Sequence, residues 1–120
     1  MDMSEQEPSI FSKIVSREIP ADIVLETERV IAFRDIQPQA PIHVLVVPKT
    51  GEYATVSELA AGDPELLAHV VGVAQDIANE LCEGQFRLVF NSGEKAGQTV
   101  FHVHAHVLGG DLAEGSLAER

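Results

Sequence analysis

The alternation of hydrophobic and polar positions divides the N-terminal part of the chain into a short helix and three strands. Apolar residues at helical spacing directly after Ser9 predict a short helix that Ser9 caps and that ends at Pro20. Alternating segments at residues 22–26 and 30–35 predict a hairpin. The apolar run at residues 43–47 predicts a strand that is buried on both faces.

A long helix is predicted in the middle of the chain. Asp63 followed by a proline is typical of an N-cap and a first helical position, and Gly84 marks the end of the helix. A capping-box pattern at residues 55–58 predicts a shorter helical turn before it. His69 falls among polar residues, and we interpret it as a surface histidine. The predicted apolar face of the long helix consists of Leu67, Val70, Val71, Ala74, Ile77, Ala78 and Leu81.

Two further strands are predicted in the C-terminal half, at residues 86–90 and 101–110. A loop rich in turn residues, at residues 91–98, joins them. About five strands with one long helix inserted between them predict an α+β domain with an antiparallel sheet. We expect the long helix to cover one face of the sheet and the side chains of the last strand's polar positions to lie on the other.

Length and composition indicate one globular domain at residues 9–110, preceded by a polar leader at residues 1–8 and followed by a tail at residues 111–120. The chain has 120 residues, of which 45% are apolar, and this suffices for a single core. The net charge of -11 and the lack of a Lys/Arg cluster argue against nucleic-acid binding. One cysteine, Cys82, excludes an internal disulfide and a multi-cysteine metal site. The N-terminal residues lack signal-peptide features and no apolar run approaches membrane-spanning length, so we expect a cytoplasmic protein without a membrane partner.

The segment at residues 101–110 reads FHVHAHVLGG and contains three of the five histidines in the chain. His102, His104 and His106 occupy alternate positions, so on a strand their side chains share one face. A fourth histidine, His43, begins the neighbouring buried strand. Three interpretations of this row are open: a polar strand face that happens to carry histidines, a metal site, or nucleophilic catalysis at phosphorus.

Strand geometry limits the metal interpretation. At a rise of about 3.3 Å per residue, His102 and His106 lie about 13 Å apart along a straight strand, so three rings do not easily converge on one tetrahedral ion. Nucleophilic catalysis needs a neutral imidazole, and His104 in the middle of the row has potential hydrogen-bond donors on both sides. The preceding loop offers glycine-exposed backbone amides together with Gln98 and Thr99, which suits anion binding.

Residues 102–108 read HVHAHVL and satisfy the His-φ-His-φ-His-φ-φ signature of the histidine triad (HIT) superfamily, in which φ is apolar. The segments IFSKIVSREIPADIV, FRDIQPQAPIHVLVVPK and RLVFNSGEKAGQTVFHVHAHVLGG closely resemble the HINT branch, the histidine triad nucleotide-binding proteins. The resemblance covers roughly residues 9–110. It implies a HIT-like α+β fold with about five antiparallel strands, one long helix and a short N-terminal helix. It also implies a homodimer built by the long helix and the strand that follows it.

The resemblance further implies a purine nucleotide-binding hydrolase that cleaves nucleoside 5′-monophosphoramidates through a covalent nucleotidyl-histidine intermediate, with no metal or cofactor. His104 is then the expected nucleophile, and His106 is expected to hydrogen-bond the α-phosphate or the leaving group. His102 and His43 are expected to orient His104, and Asp35 is expected to accept from the ribose hydroxyls. The resemblance assigns the base pocket to Ile10, Phe11, Ile14, Ile19, Phe33 and Ile36, and the phosphate- and sugar-contacting loop to Asn91, Gly97, Gln98 and Thr99.

The C-terminal tail departs from the family pattern. After Gly110 the chain reads DLAEGSLAER, which is acidic and lacks tryptophan. The tail of HINT-like proteins influences substrate choice, so the leaving group stays open. Three alternatives also stay open: a nucleotide-binding regulatory or scaffold protein with incidental hydrolysis, a metal-binding protein, and a dinucleoside polyphosphate hydrolase of the related fragile-histidine-triad branch.

Overall fold

The computed structural model describes residues 8–114, and within them it contains a five-stranded sheet and three α-helices. Most of the predicted leader and tail lies outside the described residues, so the division of the chain into leader, domain and tail stays a prediction. No helix within the described residues has the length and hydrophobicity needed to cross a membrane. The helices are α1 (Ile10–Val15), α2 (Val56–Gly62) and α3 (Pro64–Leu81), and the strands are β1 (Ile23–Glu26), β2 (Val30–Arg34), β3 (Ile42–Pro48), β4 (Arg87–Val89) and β5 (Ala105–Gly109).

The sheet has the strand order β1-β2-β3-β5-β4, and every neighbouring pair is antiparallel. This confirms the predicted α+β class and the predicted hairpin. β3 lies at the centre and pairs with β2 on one side and β5 on the other. The register places Leu45 opposite His106. Because directly opposite residues share a face and side chains alternate along a strand, His43 lies on the same face as both of them.

Each face of the sheet buries its own hydrophobic cluster. On one face, Leu66 and Ile77 of α3 pack with Val46 of the central strand. On the other face, Phe11 and Ile14 of α1 pack with apolar residues of β2 and β3. α3 therefore lies on the side opposite to the histidines, as the sequence predicts.

The buried stripe of α3 is rotated relative to the predicted one. The helix begins as predicted, because Asp63 caps it by accepting a hydrogen bond from the N–H of Leu66 at 3.1 Å. Val71, which was expected to face the sheet, is 40% exposed. The residues of α3 that face the sheet follow Leu66 at spacings of four and then three residues, so Val71 lies at the edge of this face. The buried residues of α3 are Leu66, Val70, Val73, Ala74, Ile77 and Ala78.

The last strand begins four residues later than predicted. The pairing of β3 with β5 stops at Val46 and Ala105. β3 ends two residues later at Pro48, which has no N–H to donate to the residues before β5. The N–H of Val103 donates instead to the carbonyl oxygen of Tyr53 at 2.9 Å. His102 and His104 therefore precede β5, and only the third histidine of the row lies on the strand.

The N-terminal helix starts where the sequence predicts but is shorter. The Oγ of Ser9 accepts a hydrogen bond from the N–H of Ser12 at 3.0 Å and so caps α1. The helix ends at Val15 and does not reach Pro20. Arg17 has a φ of 71°, and this left-handed conformation cannot continue a right-handed helix.

Thr55 caps α2 in the way that the capping-box pattern predicts. Its Oγ1 accepts from the N–H of Glu58 at 3.3 Å, and the Glu58 carboxylate accepts from the N–H of Ala54 at 2.9 Å. We expect Thr55→Ala to lower the free energy of unfolding by about 1 kcal/mol, measured by urea denaturation. Ser57→Ala removes an exposed hydroxyl from the same helix and should change that free energy by less than about 0.5 kcal/mol. Equal losses in the two variants would contradict the capping role.

Candidate active site

A cavity of about 470 Å³ opens on the face of the sheet opposite to α3. Its lining is mostly apolar, with a few polar side chains that converge on it, and this composition is typical of a site for a small ligand. Most of the predicted site residues lie in this lining. They are Ile10, Phe11, Ile14, Ile19, Phe33, Asp35, Ile36, His43, Thr99, His104 and His106.

The other predicted site residues lie outside the cavity lining, and three of them belong to the loop that precedes the histidines. The side chain of Gln98 is buried and braces this loop. Its amide nitrogen donates to the carbonyl oxygens of Ala54 and Val100 at 2.6 and 3.0 Å, and its oxygen accepts from the N–H of Gly93 at 2.8 Å. Gln98 therefore holds the shape of the loop and has no amide hydrogen directed at a ligand. The predicted residues outside the lining are Asn91, Gly97, Gln98 and His102.

Hydrogen bonding fixes the position of the proton on His104. Its Nδ1 lies 2.8 Å from the carbonyl oxygen of His102, and because a carbonyl only accepts, Nδ1 carries the hydrogen. The neutral ring therefore keeps a lone pair on Nε2. Burial is the main cause that lowers the pKa of His104 below its ordinary value. A neutral imidazole with a free lone pair at neutral pH is the form that acts as a nucleophile.

His43 and His106 form a second hydrogen-bonded pair. The backbone N–H of Gln39 donates to Nδ1 of His43 at 2.9 Å, so the neutral His43 carries its hydrogen on Nε2. Nε2 of His43 lies 2.9 Å from Nδ1 of His106 and 3.4 Å from Oδ2 of Asp35. His43 thus donates mainly to His106. As a consequence, the neutral His106 carries its own hydrogen on Nε2.

The Nε2 atom of His106 is buried and has no hydrogen-bond partner among the described residues. Its ring centroid lies 5.1 Å from that of His104, and both rings line the cavity. Burial, followed by the neighbouring His104 and His43, lowers the pKa of His106 to about 4. A buried donor without an acceptor costs on the order of 1–3 kcal/mol, which an oxygen atom of a ligand would offset. Two neighbouring rings of the cavity lining thus carry one free lone pair, on His104, and one N–H without a partner among the described residues, on His106.

His102 lies behind the cavity lining and is held at both ring nitrogens. Its Nε2 lies 2.7 Å from the carbonyl oxygen of Pro48 and therefore carries the hydrogen. Its Nδ1 lies 2.6 Å from the Oγ of Ser9. No sequence signal identifies Gln39 or Pro48, because both act through main-chain atoms. Ser9 could be recognised from the sequence only as a helix cap.

Asp35, His43 and His106 are the one group of three potential metal ligands that occurs in residues 8–114, with ligand atoms within 4.8 Å of one another. The N–H of Gln39 occupies the lone pair on Nδ1 of His43, so Nε2 faces the other two residues as a donor. A metal ligand must instead present a lone pair. In this hydrogen-bonded arrangement the three residues do not fit a metal ion.

Comparisons with known proteins bear on the chemistry of this cavity. The sequence matches the HIT domain family over residues 16–113. It is 44% identical over 106 residues to the purine nucleoside phosphoramidase of Escherichia coli (strain K12), covering 87% of this chain and 88% of that protein. It is 42% identical over 108 residues to the 14 kDa zinc-binding protein of Zea mays, covering 88% of this chain and 84% of that protein. The crystal structure of a HIT family hydrolase from Legionella pneumophila Philadelphia 1 matches with a TM-score of 0.81 at 44% identity, covering 88% of this chain and 95% of that one.

The buried histidines make the stability of the fold sensitive to acid. Burial is the main cause that lowers the pKa values of His43, His102, His104 and His106 below 6.5. The unfolded chain therefore binds protons that the folded chain does not as the pH falls below 6.5, a window that extends for His106 to about 4. Stability is thus expected to fall with falling pH, and the urea midpoint should be lower at about pH 5 than at about pH 7.5.

His106→Gln should weaken this pH dependence, because one buried titrating ring is then absent. His69→Gln is the matched control, since it removes a histidine whose ring is exposed. The same urea series measures both variants. Midpoints of the parent protein that do not change between the two pH values would contradict the account of neutral, buried rings.

Proposed function

Because the chain belongs to the HIT domain family and is a nucleotide hydrolase of that family, we propose that it cleaves purine nucleoside 5′-monophosphoramidates. These substrates join a nucleoside monophosphate to an amine. One feature of the cavity supports this proposal above all: the ring of His104, which keeps a lone pair on Nε2, lies 5.1 Å from the ring of His106, whose Nε2–H has no partner among the described residues. Substitution at phosphorus needs a nucleophile and a donor for the phosphoryl oxygens, and the two rings supply them.

In the first step, Nε2 of His104 attacks the α-phosphorus, a new P–N bond forms, and the bond to the leaving amine breaks. The Nδ1–H of His104 remains hydrogen-bonded to the carbonyl oxygen of His102. This hydrogen bond stabilises the positive charge that the ring acquires. His106 donates a hydrogen bond from Nε2 to the phosphoryl group or to the departing nitrogen, and that nitrogen takes a proton from solvent and leaves as the amine. Water then attacks the phosphorus, the P–N bond to Nε2 of His104 breaks, the ring regains its lone pair, the proton of the water returns to solvent, and the nucleoside monophosphate is released. No step is assigned to a metal or a cofactor.

The remaining cavity residues divide between sugar and base. Oδ1 of Asp35 accepts from the N–H of Gln37 at 2.9 Å, which fixes the orientation of the carboxylate. Its other oxygen is suited to the ribose hydroxyls. Ile36 is 93% exposed, an unusual position for an isoleucine, and a purine stacked against it would cover it. Thr99 supplies a hydroxyl for the phosphate, and the apolar residues of α1 complete the base pocket.

We further propose that the protein is a homodimer and acts in the cytoplasm. β4 is an edge strand, and an edge strand can pair with its copy to join two sheets into one. Val71 is an exposed apolar residue on α3, the helix that precedes β4 in the chain, and contact with a second chain would cover it. The single cysteine is compatible with a reducing compartment.

A metal-binding function is the second candidate, because the relative from Zea mays is named for zinc and Asp35, His43 and His106 cluster here. The hydrogen bond between Gln39 and His43 opposes it. Turnover of an adenosine phosphoramidate in the presence of EDTA separates this candidate from the hydrolase. Turnover that persists in EDTA does not depend on a chelatable ion. A substrate panel that includes a dinucleoside polyphosphate tests the remaining alternative within the enzyme class.

Turnover of an adenosine phosphoramidate tests the proposed function. The parent protein should release AMP, and His104→Ala should reduce kcat by at least roughly 1,000-fold because no other side chain can replace the nucleophile. His69→Ala removes a histidine from the surface and should retain parental kcat. AMP release that survives the His104 substitution would refute the nucleophile. A parent protein that binds AMP without turnover would favour the regulatory or scaffold alternative.

The oligomeric state is tested by sedimentation equilibrium. The parent should sediment with twice the mass of one chain, and Val71→Asp should shift the equilibrium toward the single chain, because a carboxylate in an apolar contact is poorly solvated. Ala60→Asp adds the same charge on the exposed side of α2 and should remain dimeric. A parent that sediments as a single chain would contradict the dimer, and dissociation of both variants would contradict the role of α3.

A further inference from the structure

Ser9 links α1, which lines the cavity, to His102. As the N-cap of α1 it accepts from the N–H of Ser12, and its Oγ also lies 2.6 Å from Nδ1 of His102. The hydrogen of His102 is on Nε2, directed at the carbonyl oxygen of Pro48, so Nδ1 holds a lone pair. The direction of the bond follows: the hydroxyl of Ser9 donates to His102.

The main chain of His102 carries the effect of this bond to the reacting ring. Its carbonyl oxygen accepts the Nδ1–H of His104, and this bond places the lone pair of His104 on Nε2. A ring that is held at both nitrogens, by Ser9 on one side and Pro48 on the other, fixes the backbone to which it is attached. The N–H of Val103 anchors the same peptide group by donating to the carbonyl oxygen of Tyr53 at 2.9 Å, so loss of the bond to Ser9 shifts the carbonyl of His102 relative to Nδ1 of His104 and does not release it.

The same helix also packs on the rings from the cavity side. Phe11, two residues after Ser9, contacts His102 edge-on at a centroid distance of 5.9 Å and His104 at 4.9 Å. Its position depends on where α1 begins, and Ser9 sets that position as the cap. The hydroxyl of Ser9 and the ring of Phe11 therefore restrain the histidine row together.

We propose that Ser9 is a positioning residue for the hydrolytic reaction: its hydroxyl holds His102 so that the carbonyl of His102 keeps His104 in the Nδ1–H tautomer. This inference rests on the proposed function, because it concerns how His104 is prepared for attack. Ser9 does not line the cavity and touches no reacting atom, so it acts only through His102. Its loss should therefore slow the chemical step more than it weakens substrate binding.

Three variants separate the hydroxyl of Ser9 from its role as a cap. Glycine is an acceptable N-cap but has no donor, so Ser9→Gly removes the bond to His102 and leaves the helix start almost intact. Ser9→Thr keeps both functions. Ser12→Ala is the matched control, because the Oγ of Ser12 lies 3.5 Å from the same nitrogen of His102, a distance too long for a good hydrogen bond.

Steady-state kinetics with an adenosine phosphoramidate is the first measurement. Ser9→Gly should lower kcat by about tenfold, the effect of one lost hydrogen bond, with KM changed by less than about twofold. Ser9→Thr and Ser12→Ala should both stay within about twofold of the parent in kcat and KM. Parental kcat in Ser9→Gly, an equal loss in Ser12→Ala, or a change in KM alone would each overturn the positioning role.

The second measurement does not depend on turnover. Nitrogen-15 NMR of the histidine rings should show His104 as the single Nδ1–H tautomer in the parent and in Ser9→Thr, and as a mixture of both tautomers in Ser9→Gly. Ring signals of His104 that are identical in the parent and in Ser9→Gly would overturn the inference. If the parent releases no AMP, the proposed function fails, and these ring signals alone decide whether Ser9 positions His104.

Discussion

The hydrogen bond from Nδ1 of His104 to the carbonyl oxygen of His102 is the constraint on which the rest of the site depends. It exists because residues 102–104 are not part of the sheet ladder, so this carbonyl is not used for strand pairing. The carbonyl of His102 is left out of strand pairing because Pro48 has no N–H to donate to a neighbouring strand. The carbonyl oxygen of Pro48 in turn accepts a hydrogen bond from the ring of His102. Pro48 thus ends the ladder and orients the ring of His102, and the carbonyl of His102 sets the tautomer of His104.

Burial favours the neutral form of all four histidine rings, and the same burial makes the stability of the fold sensitive to acid. Carbonyl oxygens, one backbone N–H and one hydroxyl hold three of these rings, and the effect of Asp35, which raises the pKa of His43, His104 and His106, is smaller than that of burial, which lowers it. His106 accepts from His43 and keeps one donor without a partner among residues 8–114, and an oxygen atom of a ligand would satisfy this donor. A phosphate is a better match for this environment than a cation.

Most of the fold follows from the sequence because local signals and hydrophobic periodicity agree with the final packing. Ser9, Thr55 and Asp63 cap the helices that the sequence predicts. The start of β5 could not be predicted, because the alternation at residues 101–110 continues past the point where Pro48 ends the ladder. Most predicted cavity residues do line the cavity, and the resemblance to a known family supplied most of them.

The resemblance does not distinguish residues that contact a ligand from residues whose hydrogen bonds hold a loop in shape. The resemblance assigns Gln98 to the phosphate- and sugar-contacting loop, and in the structure the side chain of Gln98 hydrogen-bonds to backbone atoms of Ala54, Gly93 and Val100. The central claim, that His104 attacks phosphorus, is tested most directly by mass spectrometry of the protein after brief reaction with an adenosine phosphoramidate and an alkaline quench. We predict an AMP adduct on the peptide that contains His104, localised to that ring by fragmentation. An adduct on another residue, or turnover without any adduct, would contradict the account.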